Sequence, residues 1–138
     1  MGHWLKVALA LAAFQLFAPP PNQKGAGGAL LPGVWGGKHI RFEVNEGGAA
    51  IEYDCAHATV EGRILVNRRG RFSVAGTHYE ERGGPTRAGE SPKSYRVRLT
   101  GLVGGSLLRL TVRRADTNEL IGTFDLARDR EPELVKCR

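Results

Sequence analysis

A chain of 138 residues leaves room for one domain with a modest core once any export signal is set aside. Its 19 glycines and 7 prolines exclude a helical bundle, whose interior tolerates neither residue, and favour an all-β protein. The formal charge of +6 arises from 20 basic and 14 acidic residues. Fifteen of the positives are arginines spread through the chain, not gathered in a tail, which gives no support to nucleic-acid binding and leaves attraction to anionic surfaces open.

The N-terminus, MGHWLKVALALAAFQLFA, carries Lys6 and then an apolar run from Val7 to Ala18. This is the length of an export signal and too short to span a bilayer as a helix. Residues 1–18 are therefore expected to be a signal peptide, which places the protein in the periplasm or outside the cell, with no transmembrane span after its removal. Pro19, Pro20 and Pro21 disfavour cleavage directly after Ala18, and a cut after Ala29 is the alternative. No cysteine ends the run, so no lipid anchor is indicated. Residues 19–32, rich in proline and glycine, read as a flexible lead-in, and 33–138 as the single domain.

Alternation of apolar and polar residues then marks the strands. Ile40, Phe42 and Val44 alternate with charged neighbours, as do Ile51, Tyr53 and Cys55, with Gly47-Gly48 suited to a tight turn between the two runs. That turn sets Val44 opposite Ile51, Phe42 opposite Tyr53 and Ile40 opposite Cys55. A second hairpin over 60–79 turns at Asn67-Arg68-Arg69-Gly70, with a left-handed glycine closing a type I turn. It places Val66 against Phe72, Ile64 against Val74 and Gly62 against Gly76. Residues 80–93, EERGGPTRAGESPK, form one long, mobile connection.

A third hairpin over 95–114 turns at Gly104-Gly105. Val97, Leu99, Gly101 and Val103 share a face with Leu108, Leu110 and Val112, while Arg96, Arg98, Arg109 and Arg113 line the other. In this register Arg96 faces Arg113. The segment ELIGTFDLA continues the apolar face through Leu120, Phe124 and Leu126, with Asp125 opposite Arg109, and ELVKC after Pro132 supplies a last strand. The sum is eight strands in an up-and-down antiparallel meander, which hides its edges best by closing into a small barrel.

Cys55 and Cys137 are the only cysteines. An even pair in an exported protein points to one disulfide, with two free thiols as the alternative. In a closed meander the bridge must cross an end of the first strand to bring the Cα atoms within about 7 Å.

Gly33-Val34-Trp35 resembles the G-x-W signature at the start of the first strand in lipocalins and the wider calycin group, including avidin-like proteins. Together with the strand count, it makes the chain similar to small exported bacterial β-barrels. The resemblance implies that Trp35 plugs one end of the barrel, with Arg138 or Arg128 packed across its ring, and that the interior holds a small ligand. The second lipocalin motif, T-D-Y, and the helix after the barrel have no counterpart here.

An eight-stranded barrel is just wide enough to be filled by its own side chains or to hold one small ligand. Gly62, Gly76, Gly101 and Gly122 fall on the inferred inward face. They either let the strands coil tightly enough to close or leave a void for a small apolar molecule, with Tyr53, His78 and Tyr95 as polar fixtures. His39 and His57 read as surface residues, with no metal-ligand spacing around Asp54, Cys55 and His57. No nucleophile-base or phosphate-loop pattern indicates an enzyme, and no cofactor is implied.

Two functions remain. One is a carrier of a small apolar ligand inside the barrel. The other is a protein-binding module, for instance a hydrolase inhibitor or an envelope accessory factor. It would act through loop 80–93 or through Arg96, Arg98, Arg109 and Arg113, facing an acidic protein or an anionic envelope component.

Overall fold

The computed structural model describes residues 27–85 and 87–138. The signal assignment and the lead-in up to residue 26 lie outside them. Ten strands follow in order: β1 (Gly28–Ala29), β2 (Gly33–Gly37), β3 (Ile40–Asn45), β4 (Gly48–Tyr53), β5 (Ala56–Glu61), β6 (Leu65–Val66), β7 (Arg71–Glu80), β8 (Ser94–Gly104), β9 (Leu107–Arg114) and β10 (Leu120–Arg128). Eight of them close an antiparallel barrel in the order β10-β2-β3-β4-β5-β7-β8-β9, and β1 pairs with β6 as a separate ribbon. The expected all-β meander, its closure and its strand number are all present.

The membership of the eight differs from expectation at two places. The first expected strand breaks at Lys38-His39, where His39 adopts φ 65°, so one run supplies both β2 and β3. ELVKC, expected as a strand, joins no ladder beyond a single parallel bridge between Lys38 and Glu133. The two departures cancel in the count.

Two hairpin registers are displaced by two residues. Asn45 pairs with Gly48, setting Phe42 opposite Ile51 and Ile40 opposite Tyr53. The turn falls at Glu46-Gly47 because the Asn45 side chain accepts the Gly47 N–H (2.8 Å) and Gly48 supplies φ 146°. In the third hairpin Gly104 pairs with Leu107 and Arg98 with Arg113, so Arg96 does not face Arg113. A slip of two keeps every side chain on its own face, which is why alternation alone does not distinguish the registers.

The second hairpin keeps its predicted turn. Gly70 has φ 78°, Asn67 N–H bonds the Arg71 carbonyl, and the Asn67 side chain accepts the N–H groups of Arg69 and Arg71. Beyond the turn the register is lost, since Gly62 bends outward at φ 89° and β6 leaves the barrel to pair with β1. Barrel pairing resumes with Thr59 opposite Thr77 and Ala58 opposite His78.

The core lies along the barrel axis, with Trp35, Ile40, Phe42, Val97, Leu99, Leu110 and Val112 all fully buried. The end of the barrel at the turns 46–47, 62–70 and 105–106 is covered by β1 and β6, which bring in Leu30 and Ile64 (5% and 2% exposed), joined by Leu30 N–H to Ile64 carbonyl. Residues 28–30 of the expected lead-in thus belong to the fold, because Leu30 completes the core. We call this the lid end.

At the opposite end the C-terminal segment forms a strap. It crosses the outer side of β2, where Arg130 and Pro132 lie so close to Gly36 that no Cβ would fit. It then exchanges hydrogen bonds with Gly37 and His39 through Glu133, meets Asp54 through the N–H groups of Val135 and Cys137, and is locked by the Cys55–Cys137 disulfide. The Cα atoms are 5.2 Å apart and the sequence separation is 82. Chain entropy assigns such a loop about 4 to 5 kcal/mol.

Candidate functional site

The outer face of β7, β8 and β9 carries the arginines. Arg98 and Arg113 sit directly opposite one another, Arg71 and Arg109 flank Leu102, and Arg96 pairs across to Thr77. Arg109 alone among these is neutralised, by Asp125 at 2.9 Å. Among the described residues the others meet no carboxylate: Arg96 donates to the Thr77 hydroxyl, Arg98 to the Ser73 hydroxyl and Arg113 to the Asn118 carbonyl. Between Arg71 and Arg109 lies an open groove of about 500 Å³ whose floor includes the hydroxyls of Ser73, Thr100 and Thr111. These three share one cross-strand row, so the register itself lays hydroxyl donors between guanidinium groups. The charge stripe was legible in the sequence; Arg71 and the hydroxyl floor were not, since they depend on the pairing of β7 with β8.

Three of the four glycines expected on the inward face abut neighbouring side chains or backbone. Gly62 is exposed at the outward bend and does not face the core. A Cβ at Gly101 would fall within the Phe72 ring on the neighbouring strand. One at Gly122 would meet the Phe124 ring at 2.8 Å, and one at Gly76 would meet the Thr59 carbonyl at 2.8 Å and the Leu99 side chain at 3.0 Å. The space that a side chain would fill at these three glycines is taken by neighbouring side chains and backbone.

Tyr53, His78 and Tyr95 do come together. The His78 ring stacks on Tyr95 (centroids 4.9 Å) and lies 5.5 Å from Tyr53, which in turn contacts Phe124 at 5.4 Å. Arg114 covers the outer side of Tyr95 at 4.1 Å. Its bond to Asp116 holds that carboxyl at a pKa of about 2. Among the described residues the buried Tyr53 hydroxyl and His78 Nδ1 meet no hydrogen-bond partner. Burial, with a smaller contribution from Tyr95, pushes the Tyr53 phenol above its ordinary range, and burial pushes the His78 imidazole down.

Trp35 is fully buried at the lid end, its indole N–H directed at the Leu31 carbonyl (3.4 Å). Arg128 lies beside it, pairing with Trp35 along the backbone and donating from Nη2 to the Pro32 carbonyl at 3.0 Å. Arg138, the other candidate partner, is at the strap end with its carbonyl against Gly83. The strap carries it there after β10 has ended, so Arg128 and not Arg138 is the arginine beside Trp35.

The strap-end rim holds a cluster that sequence spacing did not single out. His39 Nδ1 is 2.6 Å from Asp54 and His57 Nδ1 is 3.0 Å from Glu81, while His57 stacks on Tyr79. Lys136 reaches Glu81 (3.0 Å), Glu52 (3.5 Å) and the Tyr53 carbonyl. The Lys136 bond is the main cause holding Glu81 below the usual carboxylate range; partial desolvation opposes it and His57 adds to it. Desolvation also pulls Lys136 down, but Glu81 and Glu52 outweigh it and its pKa is raised. The partners come from different hairpins and the tail, which hid them from any local pattern. Loop 81–93 leaves from this rim, tied by Glu81 N–H to the Cys55 carbonyl. No group of three His, Cys, Asp or Glu among the described residues is placed to hold a metal ion.

These features define a closed eight-stranded antiparallel barrel, lidded by its N-terminal ribbon and strapped by a disulfide-linked tail. No protein-family model matches the chain, and no curated protein or solved structure matches it.

Proposed function

We propose that this barrel is an exported binding module that docks an extended acidic segment of a partner protein across the outer face of β7–β9. The observation that carries this reading is the groove between Arg71 and Arg109, floored by Ser73, Thr100 and Thr111, beside the opposed and carboxylate-free Arg98 and Arg113. Like charges directly opposite on a sheet are unfavourable, and an acidic chain laid between them relieves the repulsion. The disulfide supports an oxidising compartment. The carrier reading draws less support, since side chains and backbone press against Gly76, Gly101 and Gly122 and Gly62 faces solvent.

A poly-L-glutamate peptide titrated into the protein at low salt tests the proposal. Binding is expected, weakening steeply as salt is added. The Arg98→Gln/Arg113→Gln variant should bind about tenfold more weakly, whereas Arg41→Gln on β3 should bind as the parent does. Absence of binding, or equal loss in both variants, would sink the reading.

A further inference from the structure

We infer that the lid end of the barrel docks on an anionic lipid bilayer. Among the described residues six large apolar side chains are exposed, and three of them lie on segments at this end: Leu31 (52%), Leu65 (65%) and Leu107 (63%). Leu65 lies opposite Ala29 in the lid ribbon, and Leu107 opposite Gly104 at the tip of the third hairpin. Arg128 links the tip of the third hairpin to the segment bearing Leu31, through its N–H to the Ser106 carbonyl and its guanidinium to the Pro32 carbonyl. Among the described residues nothing covers these leucines, and an exposed apolar surface marks a site of contact.

Charge decides what covers it. Arg63, Arg68 and Arg69 lie on the segment between β5 and β7 that also bears Leu65, all exposed and without a carboxylate in ion-pair range among the described residues. The acids of this end, Glu46, Glu61 and Asp129, lie on the β3–β4 turn, at the end of β5 and after β10, none of them on the Asn67–Gly70 turn that bears Arg68 and Arg69. Leucines flanked by arginines suit the boundary between acyl chains and anionic headgroups: the leucines leave water while the guanidiniums bond phosphate. A purely apolar protein partner would leave those arginines unused. The inference uses Leu65 and Leu107, which the side-face reading does not involve.

Co-sedimentation with vesicles of mixed phosphatidylglycerol and phosphatidylcholine, compared with phosphatidylcholine alone, tests it on the protein begun at Gly27. Binding to the mixed vesicles is expected to exceed binding to the neutral ones by about tenfold. Leu65→Ser/Leu107→Ser and Arg68→Gln/Arg69→Gln should each lose about tenfold, with thermal unfolding unchanged because all four side chains are solvent-facing. Arg98→Gln/Arg113→Gln should change vesicle binding by no more than about threefold. Absence of vesicle binding overturns the inference, as does binding indifferent to the leucine pair, which would mean charge attraction alone. Poly-L-glutamate binding that survives such a failure leaves the side-face reading intact, so the two fail separately.

Discussion

The two ends of this barrel are closed by opposite means. At the lid end Trp35, Leu30 and Ile64 close the core by burial, with the Arg128 guanidinium bonded to a carbonyl and not to a carboxylate. At the strap end the core gives way to Tyr53, His78 and Tyr95, and closure depends on a disulfide, ion pairs around Lys136 and hydrogen bonds from the tail. Burial of this kind is insensitive to protons and thiols, whereas the strap is sensitive to both. One small domain thereby combines a constitutive seal and a conditional one.

Trp35→Ala should have the largest effect, about 3 to 5 kcal/mol of lost stability in urea unfolding, and the loss should be the same with and without reductant. A loss that grew on reduction would show the two ends to be one cooperative seal and break the contrast. Replacing the disulfide by Cys55→Ser/Cys137→Ser should cost about 2 to 4 kcal/mol. Reductant should bring the parent down to the same level and leave the variant unmoved; a loss below about 1 kcal/mol would show that the hydrogen bonds hold the strap unaided.

The smallest effect is the proton dependence of the strap end. Because burial lowers the His78 pKa, the unfolded chain binds a proton near the ordinary histidine value while the folded one resists it. Stability is then complete above about pH 6.5 and falls as the pH drops toward the lowered folded value. Glu81, whose pKa is also depressed, adds a second loss that begins only near the ordinary carboxylate range. A urea-midpoint profile should show both steps, and His78→Leu should remove the upper one alone. An unchanged upper step would show that it does not arise from His78.

How much of this was legible in the sequence depends on the range over which each signal acts. Alternation identified the inward faces of β3, β4, β7, β8 and β9 but not that of the 60–66 run, and Asn67 and Gly70 located their turn, because those signals are local. Asp125 falls opposite Arg109 as the sequence indicates. The breaks were harder: Lys38-His39 turns without a glycine in the left-handed position, since His39 itself takes it, and β6 departs where a single glycine looked like a strand residue. Of the candidate surfaces, the arginine stripe followed from one hairpin. The His39–Asp54 and His57–Glu81 pairs did not, because each partner arrives from a separate hairpin.

The seam between β10 and β2 has a consequence for how the molecule is made. Arg128 pairs with Trp35 and Leu126 with Gly37, so the strands that complete the ring lie at opposite ends of the described chain. A chain emerging N-terminus first has no partner for the free edge of β2 until nearly all of it has been delivered. Until then it is an open sheet with two unpaired edges, the arrangement most prone to joining a neighbouring copy. Such long-range closure is slow. The interval between arrival of β2 and arrival of β10 is therefore the vulnerable stage in the life of this protein, and restraint of the exposed edge during that interval would govern how much of it reaches the finished state.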